Sequence, residues 1–463
     1  MSESTDLIVI GAGPAGMAAA ATAATLGLSV TVLDEQARCG GQIYRNISEN
    51  AGRNQKLLEI LGADYARGGA LAKEFADSGA DYRPDTTVWQ VGANGTVSMS
   101  RDGKAESIEG RHILIATGAL ERPVPIPGWT LPGVMSAGAA QTLLKGSAMV
   151  PAGRVVIAGS GPLLLLVAQQ LAAAGADVVA LLETTKPGAY LTAAGPLIGA
   201  LKAPEYLRKG LDMRGQVRAT GMPWHTGIRG LAAEGDGRLE RVTFDDAGKR
   251  RSIDADVLLL HEGVVPHVQI TRQLGCDHEW VDDQRFWRPV LDDWGGTSIE
   301  GISVAGDGGG IGGAEAAAVA GRLAALEIAH RLGVLASGGR DARAQSWRAE
   351  WTRHMAIRPL LDRLFRPNPE ILVPRDDATV ICRCEEVTAG QLRDGVKLGA
   401  TGPNQLKAYM RCGMGPCQGR LCGLTVAEVI AEARGKPVAE IGYYNIRPPI
   451  KPVTLGELAA LDG

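Results

Sequence analysis

Asp6-Leu-Ile-Val-Ile10-Gly11-Ala-Gly13-Pro14-Ala15-Gly16, followed by an alanine-rich run from Met17 to Leu26 and by Ser29-Val-Thr-Val-Leu33-Asp34-Glu35, decides the fold. The opening apolar run is a strand of the kind that a parallel sheet buries on both faces. Gly11 permits a tight turn, Gly13 lets backbone approach a pyrophosphate, and Gly16 lets the following helix pack closely on the strand. Pro14 and Ala15 lie between them, at the amino end of a helix whose free N–H groups face the phosphates. Gly27 ends that helix. Asp34, eighteen residues after Gly16, is placed to accept hydrogen bonds from a ribose diol, with Glu35 as the near alternative. An isolated G-x-G-x-x-G is a weak signal, but a complete strand–turn–helix–strand–acid unit is a strong one.

Three later segments point to FAD as the dinucleotide. Arg111-His-Ile-Leu-Ile-Ala116-Thr117-Gly118 reads as a strand and a small-residue turn, similar to those of flavoproteins with two dinucleotide-binding domains. Ile302-Ser-Val-Ala-Gly306-Asp307 resembles their second FAD motif, whose aspartate binds the ribityl chain, and a helix is expected from Ala314 to about Arg331. The turn Gly40-Gly41-Gln42 resembles a flavin-proximal loop of the same class, and the neighbouring Cys39 reads as a free thiol.

A second unit begins at Gly153-Arg-Val-Val-Ile-Ala-Gly159-Ser-Gly161-Pro-Leu-Leu164, continues as a helix to Ala174, and ends in the strand Val178 to Leu182 and Glu183. Leu164 stands at the third glycine position, where a bulky side chain pushes helix from strand. Two readings stay open: a unit kept for architecture, or one that retains an adenine nucleotide or NAD, whose 2′-hydroxyl would suit Glu183. No cysteine lies between Cys39 and Cys276, so the dithiol of disulfide reductases is missing.

Five of the seven cysteines cluster late in the chain, as Cys382-Arg-Cys384 and Cys412-Gly-Met-Gly-Pro-Cys417-Gln-Gly-Arg-Leu-Cys422. Short cysteine-bearing loops separated by a long gap suit thiolates that converge on one inorganic centre. Structural zinc favours C-x2-4-C pairs, so the C-x-C pair points to an iron–sulfur cluster, with zinc the alternative. The first residues carry no apolar signal segment, which argues against an exported disulfide framework.

The sequence has 463 residues, enough for several domains, and a net charge of −3 from 48 basic and 51 acidic residues. Without a basic stripe, nucleic acid is not an expected partner. The longest apolar run, Pro162 to Ala168, is too short to span a bilayer, so a cytoplasmic chain without integral membrane contact is expected. The expected organisation is a discontinuous FAD domain (1–127 and 263–334), a second Rossmann-like domain (128–262), a helical linker (335–378) and a cysteine domain (379–463). In the linker, Trp347, Trp351, Met355 and Leu360 form an apolar stripe at helical spacing.

Asp34-Glu-Gln with Gly40-Gly-Gln-Ile-Tyr-Arg45, Pro127-Gly-Trp-Thr-Leu-Pro-Gly-Val-Met-Ser-Ala-Gly-Ala-Ala-Gln141 and Cys412-Gly-Met-Gly-Pro-Cys-Gln-Gly-Arg420 resemble one family across almost the whole chain. It comprises the larger, FAD-containing alpha-type subunits of heteromeric amino- and imino-acid dehydrogenases. Its members serve opine oxidase, D-hydroxyproline dehydrogenase, hydrogen cyanide synthase and dye-linked L-proline dehydrogenase. The last domain resembles bacterioferritin-associated ferredoxin, a [2Fe–2S] module. The resemblance implies an α/β, disulfide-reductase-like flavoprotein with a small helical iron–sulfur domain. It implies an FAD-dependent oxidoreductase acting on CH–NH bonds as part of a complex. It also implies a substrate-oxidising, FAD-containing beta subunit of the D-amino-acid or glycine oxidase type and a small ferredoxin-like gamma subunit. Cys382, Cys384, Cys417 and Cys422 are the implied cluster ligands, with Cys412 as the rival fourth. The competing functions are an NAD(P)H-dependent FAD/[2Fe–2S] reductase and a zinc-stabilised assembly protein with structural FAD. No catalytic side chain is singled out.

Overall fold

A computed structural model describes residues 4–186 and 188–461. Residues 1–3, 187 and 462–463 lie outside the described residues; the first and last of these sets hold the outer bounds of the expected end domains. The glycine turn stands at the edge of a seven-stranded sheet. Its parallel core is β1 (Ser4–Ile10), flanked by β2 (Val30–Leu33) and then β3 (Asp81–Arg83) on one side. On the other side runs the long β6 (Lys104–Ile115), which pairs with β1, with the late strand Ile302–Val304, and with the antiparallel pair β4 (Thr87–Val91) and β5 (Thr96–Arg101). Leu7, Ile8 and Val9 are fully buried, as an apolar run covered on both faces must be. Each such side chain contributes roughly 1.5–3 kcal/mol by leaving water.

Helix α1 (Pro14–Thr25) follows β1 and packs against the helix Ala314–Arg331. Alanine and glycine at the contact make this closeness possible: a Cβ on Gly321 would lie 2.1 Å from the Ala15 carbonyl oxygen.

After β6 the chain crosses to a second, fully parallel five-stranded sheet, whose central strand Arg154–Ser160 lies between Asp177–Glu183 and Val257–Glu262. A three-stranded antiparallel sheet extends this unit over residues 229–254. The outward and return crossings lie side by side, because Ala119–Glu121 pairs antiparallel with Val264–Pro266. Leu164 is buried at the start of the helix Pro162–Ala173 and packs with Val155 and Ile157, so the bulky residue is absorbed into the core.

The helix Ser337–Met355 lies on the helix Ala314–Arg331, with Trp347 and Trp351 covering Val319, Leu323 and Leu326. Leu360, from the same expected stripe, instead packs with Ile357 and Ala200 in a separate small core. The cysteine region follows as a two-stranded ladder and short helices, the first of which, Ala389–Lys397, starts from a capping box of Thr388 and Gln391. Its core is continuous with the outer face of the first sheet: Ile8, Ile10, Ile113 and Met99 belong to the same apolar cluster as Cys382, Val426 and Tyr444. No helix among the described residues is long and apolar enough to cross a membrane.

Candidate cofactor sites

Four separated segments meet at the amino end of α1, and glycine makes each approach possible. A Cβ on Gly11 would lie 2.6 Å from the Ala116 oxygen, and one on Gly16 would lie 1.9 Å from the Gly11 oxygen. One on Gly41 would reach 2.9 Å from the Gly13 Cα, and one on Gly306 would reach 2.8 Å from the Ala15 Cβ. Gly13 differs: its added Cβ would meet nothing nearer than the Gly41 Cα at 3.9 Å. Space is therefore left over Gly13, at a helix terminus that favours negative charge, and this fits the pyrophosphate of a dinucleotide.

Asp34 is buried, and both of its oxygens already serve the backbone. Oδ2 accepts the Ala12 N–H and Oδ1 the Gln36 N–H at 2.7 Å. Burial outweighs these bonds and raises its carboxyl above the ordinary aspartate range. Glu35 is half exposed, and its Oε2 accepts from the Lys451 ammonium, far along the chain. Of the two acids at the end of β2, Glu35 thus has the outward-facing carboxylate. Asp307 accepts the Gly312 and Gly313 N–H groups at 2.8 and 2.9 Å through Oδ1 alone. The Ala116–Gly118 turn is held from outside: the His267 N–H donates to the Gly118 oxygen at 3.0 Å.

Sequence reasoning missed Lys145 beside the Gly41–Gln42 turn. Its ammonium donates to the Gln42 carbonyl oxygen at 3.1 Å and to Gln141 Oε1 at 2.9 Å, and Gln141 in turn donates to Gln170. Only 2 % of Lys145 is exposed. Burial, with the Arg45 charge nearby, lowers its amine to about 7. Gln141 and Lys145 are one helical turn apart on Ala137–Ser147, a spacing that could have shown a polar pair aimed one way. Cys39 is the bland thiol expected, with burial and then Asp34 raising it.

All five late cysteines come together. The Sγ atoms of Cys382, Cys412 and Cys422 lie within 4.8 Å of one another and are buried. Cys384 is exposed, faces the Cys417 thiol and accepts the Cys417 N–H. Each member of the C-x-C pair thus meets one member of the later pair: Cys382 meets Cys422, and Cys384 meets Cys417. Cys412 is the fifth thiol, and the Tyr444 hydroxyl donates to it at 3.4 Å. The Gly413 and Glu385 N–H groups also point at Cys382. Gly415 admits the close loop contact, since a Cβ there would lie 2.3 Å from that of Cys384. Converging sulfurs with N–H donors around them fit an iron–sulfur centre.

In the second unit, Gly159 and Gly161 keep the positive φ of a Rossmann turn, at 138° and 105°. Glu183, however, is buried, and its carboxylate accepts the Trp224 indole N–H at 3.2 Å. Arg214 stacks 4.8 Å over that indole. Behind the turn, Glu262 is buried and accepts from Ser160 and Thr184, while His261 pairs with Glu121.

Two nucleotide-binding-type sheets, joined by a double crossing and sharing a glycine-turn site, define a flavin-dependent oxidoreductase of the two-dinucleotide-domain class. The chain belongs to the pyridine nucleotide-disulphide oxidoreductase family, which matches residues 5–324, and within it to the family of the opine oxidase alpha-type subunits. The sarcosine oxidase A3 domain matches residues 377–462. The corresponding opine oxidase subunit from Rhizobium meliloti is 43% identical over 469 residues, spanning 100% of this chain and 88% of the relative. HcnB, a hydrogen cyanide synthase subunit from Pseudomonas aeruginosa, is 36% identical, spanning 96% of each chain. Among solved structures, L-proline dehydrogenase from P. horikoshii shares the fold, with a TM-score of 0.70 at 21% identity over 98% of this chain and 79% of that one. The named relatives are subunits of larger oxidases, and the chain is accordingly a flavoprotein subunit of a heteromeric enzyme.

Proposed function

We propose that the chain is the electron-transferring subunit of a heteromeric FAD-dependent amino- or imino-acid dehydrogenase, of the opine or D-hydroxyproline type. A separate FAD-containing beta subunit of the glycine or D-amino-acid oxidase type oxidises the substrate, and a small ferredoxin-like gamma subunit completes the complex. One observation carries this reading: a single short segment touches both candidate cofactor sites. His267 donates to the Gly118 turn, and two residues later Gln269 Nε2 donates to the Gln418 oxygen at 2.9 Å, beside Cys417. When bound, FAD accepts electrons in pairs and an iron–sulfur centre passes them singly.

The chain's residues bind and orient these groups. Gly11, Gly13, Pro14, Ala15 and Gly16 hold the pyrophosphate, and the ribose contact falls to Glu35 because Asp34 is engaged by backbone. Gly306 and Asp307 face the ribityl chain, Gly41 and Gln42 the flavin end, and Ala116, Thr117 and Gly118 the opposite wall. Cys382, Cys384, Cys417 and Cys422 hold a [2Fe–2S] cluster, with Cys412 the rival fourth ligand. The NAD(P)H-reductase reading is weakened because Glu183 is buried against Trp224 and not turned toward a ribose.

The purified chain is mixed with an artificial dye and opine, proline or glycine derivatives, with and without the co-purified partner subunit. Dye reduction should require the partner. Robust turnover by the isolated chain would overturn the relay reading. Iron and sulfide analysis separates a cluster from zinc.

A further inference from the structure

We propose that Lys451 is a positioning residue for the adenosine end of the nucleotide site, and that the cysteine loop holds it in place. The proposal rests on Glu35 as the ribose acceptor. Burial works to raise the Glu35 carboxyl, but hydrogen bonding to Lys451 and its charge, with Arg420 adding, hold it below the ordinary glutamate range. The ammonium bonds to Oε2 and leaves Oε1 for a ligand. A glutamate at a strand end samples several rotamers. Tying one oxygen removes that freedom before the nucleotide arrives, so less ordering remains to oppose binding.

Lys451 is itself anchored through its neighbour. Ile450 is buried, its N–H donates to the Trp89 oxygen at 2.8 Å, and its carbonyl accepts from Arg420 at 3.2 Å. Arg420 lies between Cys417 and Cys422. Fixing those thiols on a metal centre fixes the loop that grips Ile450, and thereby steadies Lys451. FAD retention therefore reports the state of the cysteine loop.

The test uses the full chain, stripped of flavin and titrated with FAD by flavin fluorescence, alongside iron content and thermal midpoint. Lys451→Met should weaken FAD about fivefold, the scale of a partly exposed ion pair together with its ordering term, with iron content and midpoint unchanged. In a Glu35→Gln background the same substitution should add almost nothing, since Lys451 acts through Glu35. Chelating iron from the wild type should loosen FAD by a similar factor, and Lys451→Met should be indifferent to chelation. Unchanged FAD affinity in Lys451→Met, an additive loss in the double variant, or indifference of the wild type to chelation would each overturn the proposal. A wild type that takes up no FAD at all overturns instead the flavoprotein reading beneath it.

Discussion

Gly13 and Gly16 stand three residues apart in one motif, yet substitution should break different things. Valine at Gly13 meets no protein atom closely at its Cβ and fills the space left for pyrophosphate. Gly13→Val should keep its thermal transition and lose bound flavin, read as flavin absorbance per chain. Stoichiometric FAD in that variant would disprove the assignment of the turn. Lys145 gives a second residue-level prediction. Its folded value of about 7 lies well below the unfolded amine near 10.4. Between those values the unfolded chain carries a proton that the folded chain has shed, so stability rises with pH across the window and is lost on acidification toward 7. Lys145→Met removes that term, and the melting temperature of wild type minus variant should climb from pH 7 to pH 10. A constant difference would mean the lysine is charged in the folded state. The glycines were legible because a turn forbids a side chain whatever surrounds it. Asp34 and Glu35 could not be ranked from sequence, because the choice depends on Ala12 and Lys451, contacts made only in the folded chain.

Elements followed their local signals closely. The helix expected from Ala314 to Arg331 has those bounds, and helices begin after Thr388 and Cys422 where caps and turns place them. The linker stripe did not act as one face: Trp347 and Trp351 pack on one core and Leu360 on another, because the chain turns between Met355 and Arg358. Spacing brought the cysteine loops together but could not tell which thiols face each other. The pairing of Cys382 with Cys422 and Cys384 with Cys417 sets an order for serine substitution. Serine at any of these four should abolish the cluster's visible absorbance and paramagnetic signal. Cys412→Ser should keep the signal and change its shape, since the Tyr444 hydroxyl would lose its sulfur acceptor. Loss of the cluster in Cys412→Ser with survival in Cys422→Ser would exchange the two roles.

On the scale of the molecule, the cysteine region is no detachable bead. Its core and the outer face of the first sheet form one apolar cluster, which also takes in Ile302 and Val304. A chain cut after Asp376 should therefore leave that face uncovered and aggregate on expression, measured as the soluble fraction beside the full chain. A soluble fragment with an undiminished melting temperature would show instead that the contact is dispensable. The two-sheet plan could be read from repeated strand–glycine–helix patterns. This shared core could not, because each of its halves looks like the ordinary inner side of a separate domain. The ion pair of Glu35 with Lys451 joins positions 416 residues apart, and this bears on synthesis. While a ribosome makes the protein, the glycine turn emerges early and its ribose acid waits without a partner. Any cofactor captured by the nascent chain is held loosely until the cysteine loop and the segment after it have been translated, so firm loading comes late.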